Sequence, residues 1–280
     1  MTRRSNPKKT SQLPSATSVT RLLPQQQRQQ WPLRRRVLDS AHLSLGQYVV
    51  VALVILIGAA VQGTVGFGLN LVSAPLVGAI APQLLPTTMI VVGVPLSIAI
   101  ALTDHEHIDW RGVGWISLGR LPGSVAGALV VAALSTRALG GTVGVIVLLA
   151  CLISLVSVHH SINWKNSLGA GVASGFMDTA ASTGGPPLAL LYQHRPAGEV
   201  RGTFAVAFPI GSVISIVALA AGGAVHEWQI LIAALFLPSL AAGYFIGRAL
   251  IGRLAGRSLR PAVLSLAALG GVAAIVRSLI

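Results

Sequence analysis

Among the 280 residues of this chain, two glycine-rich stretches set hydroxyl, amide and carboxyl side chains within apolar sequence. The first reads Gln62-Gly63-Thr64-Val65-Gly66-Phe67-Gly68-Leu69-Asn70, with Ser73 and Pro75 just beyond it. The second reads Gly175-Phe176-Met177-Asp178-Thr179-Ala180-Ala181-Ser182-Thr183-Gly184-Gly185-Pro186-Pro187, preceded by Ser174. Both lie within apolar sequence, so each is expected to halt a helix at membrane depth, where unwound backbone is tolerated only if protein buries it or it lines a cavity. The free N–H groups and positive dipole end of a restarting half-helix favour an anion. Pro186-Pro187 suits a first helical turn, where no N–H is missed. Glycines that merely let helices cross closely are the plainer reading. Two equivalent breaks, each flanked by hydroxyl or amide groups, favour binding. The expected substrate-binding set is Gly63, Thr64, Gly66, Gly68, Asn70, Ser73 and Pro75 from the first stretch, and Ser174, Ser182, Thr183, Gly184, Gly185 and Pro186 from the second.

Two isolated charges add to this set. Arg120 lies about nine residues into the apolar run 112–134, and a charge at that depth costs at least about 2.5–3.5 kcal/mol on insertion scales, so it should face a partner or a watery cavity. It is expected to clamp a substrate anion with its guanidinium fork; the alternatives are an arginine that snorkels to an interface or pairs with Asp178. Asp178 is expected either to carry a coupling proton, because burial raises a carboxyl pKa, or to cap the restarting half-helix.

Other chemistries find little support. Gly63 to Gly68 has no Lys-Ser/Thr after its last glycine and is not set in a βαβ unit, so it is no nucleotide loop. His105-Glu106-His107 has no third ligand nearby, and no metal is expected. Cys151 is the single cysteine, which excludes an intrachain disulfide. Ser174-Gly175, with His194 or His226 as base, is a weak outline of an intramembrane hydrolase; residue 172 is Val, so the Gly-x-Ser-Gly spacing fails. No catalytic residue and no cofactor are expected.

The elements that must hold these residues follow from composition. Fully 53% of the chain is hydrophobic and only 10% charged, against roughly 25% charged residues in a soluble domain. Apolar runs fall at about 46–62, 69–82, 84–102, 112–134 and 139–158, then 167–177, 184–193, 203–222, 229–251 and 261–280, near the length that a hydrocarbon core about 30 Å thick demands. They are continuous rather than alternating, which excludes a β-barrel. The expected fold is an all-α polytopic membrane protein with eight to ten crossings. Of the +13 net charge, residues 1–42 hold nine Lys/Arg and one acid; that stretch reads as a disordered basic cytoplasmic tail rather than a nucleic-acid arm. The loop Asp104 to Asp109 is then expected outside and the cluster Arg248, Arg253, Arg257, Arg260 inside by its charge, although five crossings in each half would put that cluster outside, so parity stays open. His194-Arg195, after the Pro-Pro segment, is expected to meet phospholipid, with attraction of anions to the cavity mouth as the alternative.

The chain also matches itself. Gly63 and Pro75-Leu76 correspond to Gly175 and Pro187-Leu188 at a shift of 112 residues; His107-Ile108-Asp109-Trp110 corresponds to His226-Glu227-Trp228; Leu121-Pro122 and Ala126-Gly127 correspond to Leu237-Pro238 and Ala242-Gly243 at a shift of 116. Anchors in one order imply a duplicated unit of about 115 residues, giving membrane repeats over 43–160 and 161–280. Duplicated units with broken helices in corresponding places point to a transporter whose site lies between the repeats.

The Gly-x-x-Gly-x-Gly stretch followed by Ala74-Pro75-Leu76, together with Ser182-Thr183-Gly184-Gly185-Pro186-Pro187-Leu188 followed by Leu191-Tyr192, resembles the paired signatures of the TauE/SafE sulfite-exporter family over about residues 45–280. The resemblance implies a bacterial inner-membrane secondary carrier of small sulfur-containing or carboxylate anions, such as sulfite, sulfoacetate or taurine-related compounds. Phe67 and Leu69-Asn70 depart from the adjacent glycines of many members, and Asp178 is a second departure. A gated anion channel and a hydrolase are the alternatives. The partners expected are a small anion and the lipid bilayer, with a homo-oligomer left open and no nucleic acid.

Overall fold

The computed structural model describes residues 43–104, 107–155, 161–254 and 260–279; the basic tail 1–42, His105-Glu106, His159-His160 and Arg257 lie outside them. The described residues form eleven α-helices and one short 3₁₀ turn at Pro82–Leu84. In chain order the helices are α1 (Leu45–Val65), α2 (Leu69–Ile80), α3 (Thr87–Thr103), α4 (Trp110–Ala133), α5 (Thr136–Leu155), α6 (Trp164–Ala181), α7 (Gly185–Leu191), α8 (Ala197–Ala221), α9 (Glu227–Leu235), α10 (Leu237–Leu254) and α11 (Arg260–Leu279). Helix starts follow capping chemistry. Ser44 and Gln47 form a capping box on α1, and Asp109 and Asn163 accept from the backbone N–H three residues on, at Gly112 and Asn166.

Helices α1, α4, α5 and α8 are long and apolar enough to cross a membrane singly, and α9 with α10 makes a fifth if that bent pair is one span. The remaining apolar runs of the described residues fall below that length or apolarity as single helices. Helices α2 and α3 and the apolar part of α11 are shorter, while α6 carries Lys165, Asn166 and Asp178, which dilute its apolarity. The run 229–251 is not one helix: it breaks at Phe236 with a 46° bend. Pro238 supplies the cause, since it has no N–H and its ring collides with the carbonyl four residues earlier. Pro122, its counterpart in sequence, is carried inside an unbroken α4.

Packing is set by small residues. The face of α4 that carries Gly119, Gly123 and Gly127 lies on α6 so closely that a Cβ at any of them would strike α6 backbone or Thr179. On the α6 side, Gly171 and Gly175 meet the backbone of Ile116 and Arg120. Gly243 and Gly247 of α10 press in the same way on Leu56 and Ala60 of α1, the close approach that small-xxx-small spacing permits. The contacts are reciprocal between the halves: α4 packs on α6 as α10 packs on α1, α2 packs on α11 as α7 packs on α5, and α3 meets α8. This brings the ends of α1 and α6, where both breaks occur, against the α3–α8 pair.

Asp104, at the end of α3, accepts from Arg201 of α8 at 3.1 Å and from Arg248 of α10 at 3.2 Å. The loop beginning at Asp104 and the residue Arg248 therefore share one side of the molecule, which corrects the expectation that they lie on opposite sides. The charge rule mislocated them because Arg248 sits within α10 and is held by a carboxylate rather than left in a loop.

Candidate functional site

The first break is made by two glycines in conformations closed to other residues. Gly66 (φ +92°) ends α1 and Gly68 (φ +123°) precedes α2. Gly66 lies against Arg201, whose Nη1 donates to the carbonyl of Thr64 at 3.3 Å. Gln62 holds the break from within: its Oε1 accepts from the N–H of Leu69 at 3.1 Å, and its Nε2 donates to Ser97 Oγ at 3.3 Å. One of the N–H groups expected to face an anion is thus already satisfied by a side chain.

The second break is shorter than the sequence suggests. Helix α6 continues through Gly175 to Ala181, and only Ser182, Thr183 and Gly184 are unwound, Ser182 with φ +56°. Gly175 is a packing residue, not a breaker. Ser174 Oγ donates to the Gly184 carbonyl at 2.6 Å, so it braces the loop rather than serving a histidine. Ser182 Oγ reaches the Pro86 carbonyl at 3.0 Å, tying the loop to the start of α3. Helix α7 has seven residues, so its dipole adds little to the field that the sequence argument invoked.

Between the breaks is a cavity of about 50 Å³, several times the ~10–15 Å³ that one water requires. Gln62, Phe67, Gly68, Asn70 and Leu71 line it from the first half, and Asp178 and Ser182 to Gly185 from the second; Ile90, Gly93 and Ser97 of α3 and Phe208 and Ser212 of α8 complete it. Phe67, Phe204 and Phe208 form successive edge-to-face contacts with centroids 5.9 and 5.5 Å apart, extended by Tyr192 at 5.6 Å.

Arg120 is fully buried and donates to Asp178 Oδ2, forming an ion pair between α4 and α6. It neither snorkels nor lines the cavity; Asp178 stands between. Its Nε and Nη1 have no partner among the described residues, and the guanidinium lies against Gly211, where any Cβ would overlap it. The hydrogen bond that Asp178 makes across helices is the one from Arg120, and Gly184, the N-cap of α7, has no side chain with which to cap.

Of the expected binding residues, Gly68, Asn70, Ser182, Thr183, Gly184 and Gly185 meet at the cavity together with Asp178. The others stand behind it. Gly63 abuts α10 at Tyr244, and Thr64 donates to the Val61 carbonyl at 2.7 Å. Ser73 donates to the Val54 carbonyl at 3.2 Å and Pro75 packs on Gly270. Pro186 is buried in the first turn of α7. These positions fail as lining residues because helix periodicity turns them into neighbouring helices. Arg195, expected at lipid, pairs with Glu199 at 3.6 Å.

Sequence reasoning missed the contribution of α3 and α8. One signal was present: Pro95 and Pro209 stand 114 residues apart inside these two helices, within the shift of the other anchors, and each is followed within three residues by a lining serine, Ser97 or Ser212.

No curated protein and no solved structure matches this chain. The family described as the sulfite exporter TauE/SafE matches residues 50–274, a span that takes in both breaks, the buried ion pair and every residue of the cavity. The chain belongs to the TauE/SafE sulfite exporter family, a family of membrane transporters.

Proposed function

We propose that this protein is a secondary carrier that moves a small anion of the sulfite, organosulfonate or carboxylate type across the bacterial inner membrane by alternating access. The observation that carries the reading is one cavity walled by both glycine-rich breaks, with a buried arginine–carboxylate pair at its edge. Irregular backbone at membrane depth is costly unless it lines such a space. Repeats 43–160 and 161–280 would rock about it; the reciprocal packing of α4 on α6 and α10 on α1 supports that division. The N-terminal tail is assigned to the cytoplasm by its arginines. No cofactor is required, since an ion or substrate gradient supplies the energy.

In this scheme Arg120 supplies a positive field that Asp178 offsets while it is ionised. Protonation of Asp178 removes the internal counter-ion, and the positive field of the buried guanidinium, acting across Asp178, then favours an incoming anion in the cavity. Asp178 then carries the coupling proton. Uptake of labelled sulfite, sulfate, taurine and a short carboxylate into proteoliposomes under an imposed pH gradient tests the scheme, with Arg120→Ala alongside wild type. Saturable flux of one anion, lost in the variant, is expected. Conductance that never saturates would instead identify a gated channel, and no flux of any anion through folded, inserted protein would refute both.

A further inference from the structure

Asn70 presents an acceptor that no described residue uses. Its Nδ2 donates to the Met89 carbonyl at 3.2 Å, and its Oδ1 is buried without a partner among the described residues. The amide cannot be turned over to cure this, because the exchange would set its oxygen against the Met89 oxygen. A buried acceptor left unpaired costs free energy, and Asn70 lines the cavity. A donor carried into that space is the partner within closest reach of this amide.

The remaining polar lining makes that partner specific. Asp178 on the wall is a second acceptor while ionised and gains a donor O–H once it takes up the coupling proton. Ser97 Oγ already accepts from Gln62, which leaves its own proton free to donate, and Ser212 adds another hydroxyl. The cavity thus offers hydroxyl donors for anionic oxygens and, in the same small volume, an amide oxygen open to a proton donor. A fully deprotonated oxyanion has only acceptors and would meet Asn70 lone pair to lone pair. A water can satisfy the site at rest, but the substrate that displaces it must replace its hydrogen bond.

We propose that the carried species is a monoprotonated oxyanion, an anion that keeps one O–H, and that Asn70 selects it by accepting that O–H at Oδ1. The volume of about 50 Å³ favours a hydroxyl on a compact oxyanion over an ammonium on a longer chain. This inference rests on the carrier reading above. It adds the protonation state of the substrate and the residue that reads it.

Isosteric pairs provide the test, since a methyl group replaces the hydroxyl with little change in size or charge: hydrogensulfite against methanesulfinate, and hydrogencarbonate against acetate. Binding is measured to the full chain in phosphatidylcholine nanodiscs, in mildly acidic buffer for the sulfur pair. Wild type is expected to favour the hydroxyl-bearing member of a pair by about tenfold or more, and Asn70→Leu to bring the ratio within about twofold with both members still bound. Equal affinities in wild type, tighter binding of the methyl isostere, or an undiminished ratio in Asn70→Leu each overturn the proposal and leave the anion site standing. If no member of either pair binds, the anion site falls and this inference with it. The wild-type ratio decides by itself if Asn70→Leu does not fold.

Discussion

Arg120 of α4 and Asp178 of α6 form an ion pair in which the guanidinium is fully buried and the carboxylate faces the cavity between the two breaks. It joins two helices that already touch through glycines, so their packing does not depend on the charges. Its weight falls on the site.

Breaking the pair from one side is therefore expected to be worse than removing it altogether. Asp178→Leu leaves an uncompensated buried guanidinium and should cost about 3–5 kcal/mol, whereas Arg120→Met with Asp178→Leu should recover most of that loss. Denaturant titrations of the two single variants and the double variant give the coupling energy. Additive losses would show that the pair is not coupled.

The glycines of α4 make a sharper contrast. A Cβ at Gly123 would enter the Val172 carbonyl, whereas one at Gly114 has nothing within 4 Å. Gly123→Ala is expected to lose about 1–3 kcal/mol through forced separation of α4 from α6, while Gly114→Ala is neutral or slightly stabilising. Thermal midpoints in one detergent compare them, and equal midpoints would contradict the contact.

Gln62→Leu should act on the first break. The substitution removes both bonds of the amide and leaves the Leu69 N–H without its acceptor, a loss of about 1–3 kcal/mol. Faster amide hydrogen exchange over Gly66 to Leu71, with the rest of α1 unchanged, is the expected signature.

Asp104→Asn addresses the three-residue cluster with Arg201 and Arg248. The carboxylate is partly exposed, with side-chain accessibility of 20%, so solvent screening holds the expected loss to about 1 kcal/mol. A reduced thermal midpoint that high salt no longer lowers further is the predicted result; an unchanged midpoint would show that the cluster adds nothing to stability.

What the sequence disclosed follows from which features are local. Gly66, Gly68 and Ser182 to Gly185 are readable because helix breaks need particular residues at particular places. Arg120 and Asp178 stand out because charges in apolar runs are expensive. Long-range pairings left no such mark. Nothing near Gln62 announces that its amide reaches forward to Leu69, and Ser97 and Ser212 look like ordinary small residues in apolar helices until α3 and α8 are placed over the breaks. Ser73 and Thr64 lie outside the cavity lining for the converse reason: their hydroxyls satisfy backbone carbonyls, a use that sequence does not distinguish from ligand binding. The Phe236 break left no mark of its own, since Pro238 follows a leucine and precedes an Ala-Gly pair by four residues just as Pro122 does, and Pro122 sits inside an unbroken helix.

The most direct test of the central claim is saturable flux of labelled sulfite in proteoliposomes containing wild type, Gly185→Leu or Gly169→Leu. A Cβ at Gly185 already approaches Phe67 to 3.2 Å, and a leucine there would fill the cavity; Gly169 has nothing within 4 Å. The account predicts wild-type flux for Gly169→Leu and none for Gly185→Leu, with all three proteins inserted and folded. Normal flux through Gly185→Leu would contradict it and remove the cavity between the breaks from the transport path.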